Sequence, residues 1–69
     1  MSQDLYNELR RIKERHETIK TDLLGAYATV LQTPEQKGKI ASLLVSYRNN
    51  LDIQKQDINN AIKMLNKKD

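Results

Sequence analysis

The sequence predicts an all-α protein: a long antiparallel helical hairpin, a two-helix coiled coil with enough apolar surface left over to pair into a helical bundle. Three observations predict it. The single proline, Pro34, lies near the middle of the 69 residues, in the one clear break, Gln32-Thr33-Pro34-Glu35-Gln36. On each side of that break apolar residues recur alternately four and three apart along the whole arm, the repeat of a helix that buries one stripe. Helix-breaking residues are otherwise nearly absent, since the chain has only two glycines.

Taken in order, the first element is a helix over about residues 2–31, with Ser2 as its cap and Asp4 as an acid in the first turn, where it suits the positive end of the helix dipole. Its inward candidates are Leu5, Leu9, Ile12, His16, Ile19, Leu23, Ala26 and Val30, a series without charge. The turn falls at about 32–34. Thr33 can cap the next helix, Pro34 fits a first helical position where its missing N–H is not needed, and Gln36 can reach back to the Thr33 amide in a capping box. The second helix is then predicted from Pro34 to about Asn66, with Lys63, Lys67 and Lys68 beside its carbonyl end. Its inward series is Ile40, Leu44, Tyr47, Leu51, Gln54, Ile58, Ala61 and Leu65, again uncharged. At 1.5 Å per residue each arm is roughly 45 Å long, and so short a connection makes the arms antiparallel neighbours within a single unit spanning residues 1–69.

Folding one series onto the other pairs Leu5 with Leu65, Leu9 with Ala61, Ile12 with Ile58 and His16 with Gln54, then Ile19 with Leu51, Leu23 with Tyr47, Ala26 with Leu44 and Val30 with Ile40. The two polar members meet in one rung. An imidazole and a carboxamide can satisfy each other there, whereas either one opposite a leucine would forgo a hydrogen bond, at about 1–3 kcal/mol. His16 and Gln54 are therefore expected as a polar core rung that fixes register.

Composition narrows the function. Without cysteine there is no disulfide, and one histidine without thiols cannot complete a closed zinc site, so no metal is expected. There is no run of about eighteen apolar residues for a membrane span and no basic-then-apolar leader, which makes a cytoplasmic chain without a membrane role the expectation. Catalysis is not expected either: no carboxylate pair stands in an apolar setting, no glycine-rich phosphate loop is present, and a two-helix rod offers no concave pocket for a cofactor or small-molecule substrate.

A thin two-helix seam leaves side chains only partly covered, so the apolar residues outside the two series matter. Near the turn they are Leu24, Tyr27 and Leu31 on the first helix and Leu43 and Val45 on the second; Tyr6, Ile53, Ile62 and Met64 are scattered toward the open end. Leu24, Tyr27, Leu31 and Leu43 are read as a partner interface, for a second copy in a homodimer or for another helical protein. The alternative is that they wrap the hairpin's own core. The expected function is a non-enzymatic interaction module: an adaptor, chaperone, inhibitor or assembly component.

A second class of function is nucleic-acid binding. Arg10, Arg11, Lys13 and Arg15 form the one dense basic cluster and could contact phosphates. Glu8, Glu14 and Glu17 dilute it, and the net charge of +3 is mild. The remaining acids, among them Asp22 and Asp57, and the Asn49-Asn50 doublet are read as outward-facing. In its length, its two helices and its proline-containing turn, the chain resembles small helical-hairpin proteins such as type III secretion co-chaperones and phage-encoded accessory proteins. It shares no diagnostic motif with either, so the resemblance implies no residue roles.

Overall fold

A computed structural model describes residues 3–66 as two α-helices of equal length, α1 (Gln3–Gln32) and α2 (Lys37–Asn66), packed antiparallel along their whole length. The hairpin is a rod with Cα extents of 55 × 14 × 11 Å. Ser2 as a cap and Lys67 and Lys68 as dipole partners lie outside the described residues; Asp4 and Lys63 do occupy the first turn of α1 and the last turn of α2.

The turn differs from the capping box expected at Thr33. The Thr33 N–H still donates to Thr29 O at 2.8 Å, continuing the α1 pattern by one bond. Pro34 ends it, having no N–H to offer the next carbonyl and disfavouring a helical Thr33. The Gln36 N–H then donates to Thr33 O at 3.0 Å, which closes a four-residue turn with proline in its second place, a position its fixed φ favours. Ile40 N–H donates to Gln36 O at 3.1 Å, so Gln36, and not Thr33, is the cap whose carbonyl opens α2. The second helix therefore begins at Lys37 rather than at Pro34. No described residue takes a positive φ, so the reversal needs no left-handed glycine.

The seam is only half the one expected. Its centre line is Leu5, Ile12, Ile19 and Ala26 on α1 against Ile40, Tyr47, Gln54 and Ala61 on α2, each set spaced by seven, and none of these residues is exposed. Beside that line the helix offers two flanks. A step of three residues falls ~60° short of a full turn and a step of four overshoots it by ~40°, so the two steps lie on opposite sides of the line. Because the arms run in opposite directions, the three-step flanks of both arms share one side of the hairpin and the four-step flanks share the other.

The three-step flank is the covered one. Glu8, Arg15, Asp22 and Thr29 of α1 and Leu43, Asn50 and Asp57 of α2 are all buried or half-buried. The four-step flank, Leu9, His16, Leu23 and Val30 with Leu44, Leu51, Ile58 and Leu65, is exposed throughout. The residues expected to complete each rung therefore lie outside the core, and His16 is exposed where Gln54 is buried. Instead the Gln54 side chain donates through Nε2 to the Ile12 carbonyl at 3.0 Å. Asp22, Asp57 and Asn50, read from the sequence as outward, turn into the seam.

Hydrogen bonding across the covered flank explains what those polar residues do there. Ser46 Oγ donates to Asp22 Oδ2 at 2.7 Å and Asn50 Nδ2 donates to the same oxygen at 3.4 Å. Arg15 Nη1 donates to Asn50 Oδ1 at 3.2 Å, and its Nε lies 3.7 Å from Asp57 Oδ2. Glu8, 5% exposed, accepts from Arg11 Nη1 at 3.0 Å. The satisfaction is incomplete: Glu8 Oε2, Arg15 Nε, Gln54 Oε1 and Asp57 Oδ2 are buried without a hydrogen bond. Arg15 Nε and Asp57 Oδ2 face each other in the 3.7 Å ion pair, so the uncompensated atoms are Glu8 Oε2 and Gln54 Oε1; leaving such a group unpaired costs about 1–3 kcal/mol. Small side chains at Ala26, Ala61 and Gly25 permit the close approach, with Leu43 lying over Gly25.

Candidate functional site

The open side of the hairpin is the candidate site, and heptad spacing builds it. Leu9, Leu23 and Val30 rise from α1 and Leu44, Leu51, Ile58 and Leu65 from α2, ranging from 42% exposed at Leu51 and Ile58 to 69% at Leu65. One further helical step outward from the centre line stand Tyr6 and Tyr27 on α1 and Ala41 and Ile62 on α2, also exposed. A monomeric protein seldom leaves so long a contiguous apolar strip in water.

The same outer step carries the face's charge. Between the two tyrosines it holds Lys13 and Lys20, and between Ala41 and Ile62 it holds Arg48 and Lys55. The register set by the Asp22–Ser46 bond and by Leu43 over Gly25 makes Lys13 level with Lys55 and Lys20 level with Arg48. The result is a belt of two basic rungs one heptad, about 10 Å, apart, crossing the middle of the face. His16 and Leu51 lie within it.

Two carboxylates stand at the outer edge of this face, Glu17 one heptad before Leu24 and Asp52 one heptad after Val45, each three or four residues from two of the bases. Glu8, Asp22 and Asp57 are spent on the covered side, where the two ion pairs among the described residues, Arg11–Glu8 and Arg15–Asp57, are found. Lys13, Lys20, Arg48 and Lys55 make no ion pair among the described residues; the i,i+4 spacing of Lys13 and Glu17 does not become a contact. The hairpin thus keeps its hydrogen-bonded acids and arginines toward the seam, while the open side carries four bases with Glu17 and Asp52 beside them.

The residues singled out from the sequence are divided by this geometry. Leu24, Tyr27 and Leu31 are exposed together near the turn, Tyr27 on the open face and the two leucines at its outer edge. Leu43 is not with them; it is half-buried on the opposite flank against Gly25. The basic cluster does not form one surface. Arg11 is held by Glu8, Arg15 is drawn into the seam by Asn50 and Asp57, Lys13 joins the open face, and Arg10 stands two heptads before Leu24 at that face's outer edge. A depression of about 200 Å³ beside it, lined by Arg11, Glu14, Arg15 and Thr18, lies on α1 alone. His16 is exposed on the open face and Gln54 is buried.

Sequence reasoning missed the belt. Its signal was nonetheless present: Lys13, Lys20, Arg48 and Lys55 each lie one residue after a member of a seven-residue series, and no acid shares their places on that face. Among the described residues no helix is long and apolar enough to cross a membrane, and no three histidine or carboxylate side chains gather as a metal site requires. Comparison with family models, with curated proteins and with solved structures finds no match to the chain.

Proposed function

We propose that this chain is a non-enzymatic protein-protein interaction module of the cytoplasm, an adaptor, chaperone, inhibitor or assembly component that docks a helical partner or a second copy of itself through the open face. One observation carries the reading: the hairpin closes on its polar flank and leaves the heptad-spaced leucines of both arms uncovered. Burying such side chains stabilises an assembly by roughly 25 cal/mol per Å² of apolar surface removed from water, a term the isolated hairpin forgoes along its whole length. The surface is also broader than the turn-proximal patch, since Tyr6, Leu9, Ile58, Ile62 and Leu65 extend it to the open end.

Contact with nucleic acid through Arg10, Arg11, Lys13 and Arg15 is the weaker reading, because two of the four are engaged by carboxylates and the other two stand four residues from Glu14 and Glu17. The test compares the tagged chain with a Leu51→Asp, Ile58→Asp variant recovered from the same cells, with sedimentation of each over a wide concentration range. Wild type should carry a stoichiometric protein partner or form a defined oligomer, and the variant should lose it while remaining helical. Unchanged association in the variant would remove the open face as the docking surface.

A further inference from the structure

Charges alternate along each edge of the open face: Lys13, Glu17 and Lys20 on α1, and Lys55, Asp52 and Arg48 on α2, base, acid, base within about 10 Å. Building on the docking reading above, we propose that the occupant of the face is a second copy of this chain with its turn at the opposite end, so that two hairpins close as a four-helix bundle. Lys20 would then face the second copy's Glu17 and Arg48 the second copy's Asp52, each pair occurring twice about a two-fold axis that crosses the middle of the rod.

A single hairpin does not supply its own core. Among the described residues the apolar side chains buried within it are Leu5, Ile19, Ala26 and Ala61, two of them alanines, while Leu51 and Ile58 stay 42% exposed. Chains of this length commonly gain the missing burial by associating, and a closed two-fold dimer is the commonest form. A second copy brings a face of equal length and equal spacing, since centre line and open flank alternate by four and three residues on both arms. Size agrees as well: Cα extents of 55 × 14 Å outline a face on the order of 800 Å², the area each partner contributes to a standard interface.

The order of the charges selects the arrangement. With both turns at the same end, two-fold symmetry lays α1 of one copy over α2 of the other at the same level. Lys13 then meets Lys55, Lys20 meets Arg48 and Glu17 meets Asp52, and like charges face to face beside a helical seam disfavour the pairing. With the turns at opposite ends each arm lies antiparallel to its own counterpart, and the axis can take any level along the rod. Midway between Glu17 and Lys20, a level that the register also places midway between Asp52 and Arg48, it gives opposite-charge pairs on both arms. That level is within about 2 Å of the middle of the helices, so nearly their whole length is covered. An axis midway between Lys13 and Glu17 would instead bring Lys20 beside the second copy's Arg10.

Surfaces of a single sign fit the face less well. Duplex phosphates and anionic lipid headgroups would meet Lys13, Lys20, Arg48 and Lys55 favourably but would bring like charge against Glu17 and Asp52. A uniformly acidic or uniformly basic helix meets the same conflict, whereas a copy of the chain carries the alternation that answers it.

The experiment is sedimentation equilibrium of the full chain over a wide concentration range, alone and with duplex DNA or vesicles of phosphatidylserine with phosphatidylcholine. The chain should form a dimer and nothing larger, neither additive should disperse it, and Leu51→Asp with Ile58→Asp should leave monomer. Glu17→Lys with Asp52→Lys makes every facing pair positive, and Lys20→Glu with Arg48→Glu makes every one negative. Each variant should dimerise roughly ten- to a hundredfold more weakly, as four rim pairs turned from attraction to repulsion allow. An equimolar mixture of the two should regain the wild-type association, because every base of one then meets an acid of the other. Spin labels on Glu35→Cys, at the exposed turn of a chain without cysteine, should lie apart by nearly the 55 Å length of the rod.

A chain monomeric at every concentration, an assembly larger than two, or a dimer dispersed by DNA or vesicles would overturn the second-copy proposal. So would labels within about 20 Å of each other, two interhelical spacings, or charge variants that associate as well as wild type. If the chain is monomeric but carries a stoichiometric protein from its cells that the Leu51→Asp, Ile58→Asp variant loses, the docking face itself survives. If it is monomeric and carries nothing, or if its dimer ignores the Leu51 and Ile58 substitutions, both readings fall.

Discussion

Asn50 stands between opposite charges, accepting from the Arg15 guanidinium and donating to the Asp22 carboxylate, and no apolar side chain of similar size could do both. An Asn50→Leu substitution should therefore destabilise the hairpin by about 1–3 kcal/mol in urea unfolding, since it strands two polar groups in a half-buried place. His16 gives the opposite expectation. Exposed on the open face, it should tolerate alanine in the single hairpin with a change within about 0.5 kcal/mol, the usual range for surface sites. A loss as large as that of Asn50→Leu would instead place the imidazole in the seam. Leu43 shows the same residue-scale logic: its neighbours in sequence suggest a docking surface, but its methyl groups close over Gly25.

At the scale of the element, both helices are long, uninterrupted and weakly supported. Gly25 lies within α1 with a helical backbone, and a Cβ built there would sit 3.5 and 3.6 Å from the two Leu43 methyls, ordinary van der Waals contact. Gly25→Ala should accordingly raise stability by about 0.5–1 kcal/mol, the helix-propensity difference between the two residues, read as a higher urea midpoint with unchanged slope. A fall in stability would mean that the arms need to approach more closely than the structure has them. The turn follows the same local chemistry: Pro34 stops α1 by its missing donor, and the Gln36 carbonyl opens α2.

For the molecule as a whole, charges of both signs lie along both sides of the rod, so salt should change stability little. Arg15 and Asp57, 27% and 11% exposed, are the pair screened least. On the open face each base of the belt has Glu17 or Asp52 three or four residues away, and such exposed neighbours contribute little in water. Raising salt from about 10 mM to 0.5 M should therefore move the thermal midpoint of the free hairpin by no more than a few degrees, about 0.5 kcal/mol at 4–8 °C per kcal/mol for a chain of this size. A midpoint that rises much further would show repulsion between Lys13 and Lys55 and between Lys20 and Arg48 to dominate.

The amino-acid sequence alone determined that there are two helices, that Pro34 hinges them and that they run antiparallel, because proline chemistry and a seven-residue repeat act locally and need no partner. It also identified one line of the seam, Leu5, Ile12, Ile19 and Ala26, which belongs to either possible face. The choice between the flank beginning at Glu8 and the flank beginning at Leu9 was made only when α2 lay alongside. The two flanks differ by a single residue step, about 100° on the helix, and apolar periodicity favours the leucines. Across the assembled hairpin, however, Arg15, Asn50, Asp22 and Ser46 bond to one another, and a two-helix contact has room for one flank alone. Tertiary structure thereby turned the stripe expected as core into the face that is left open.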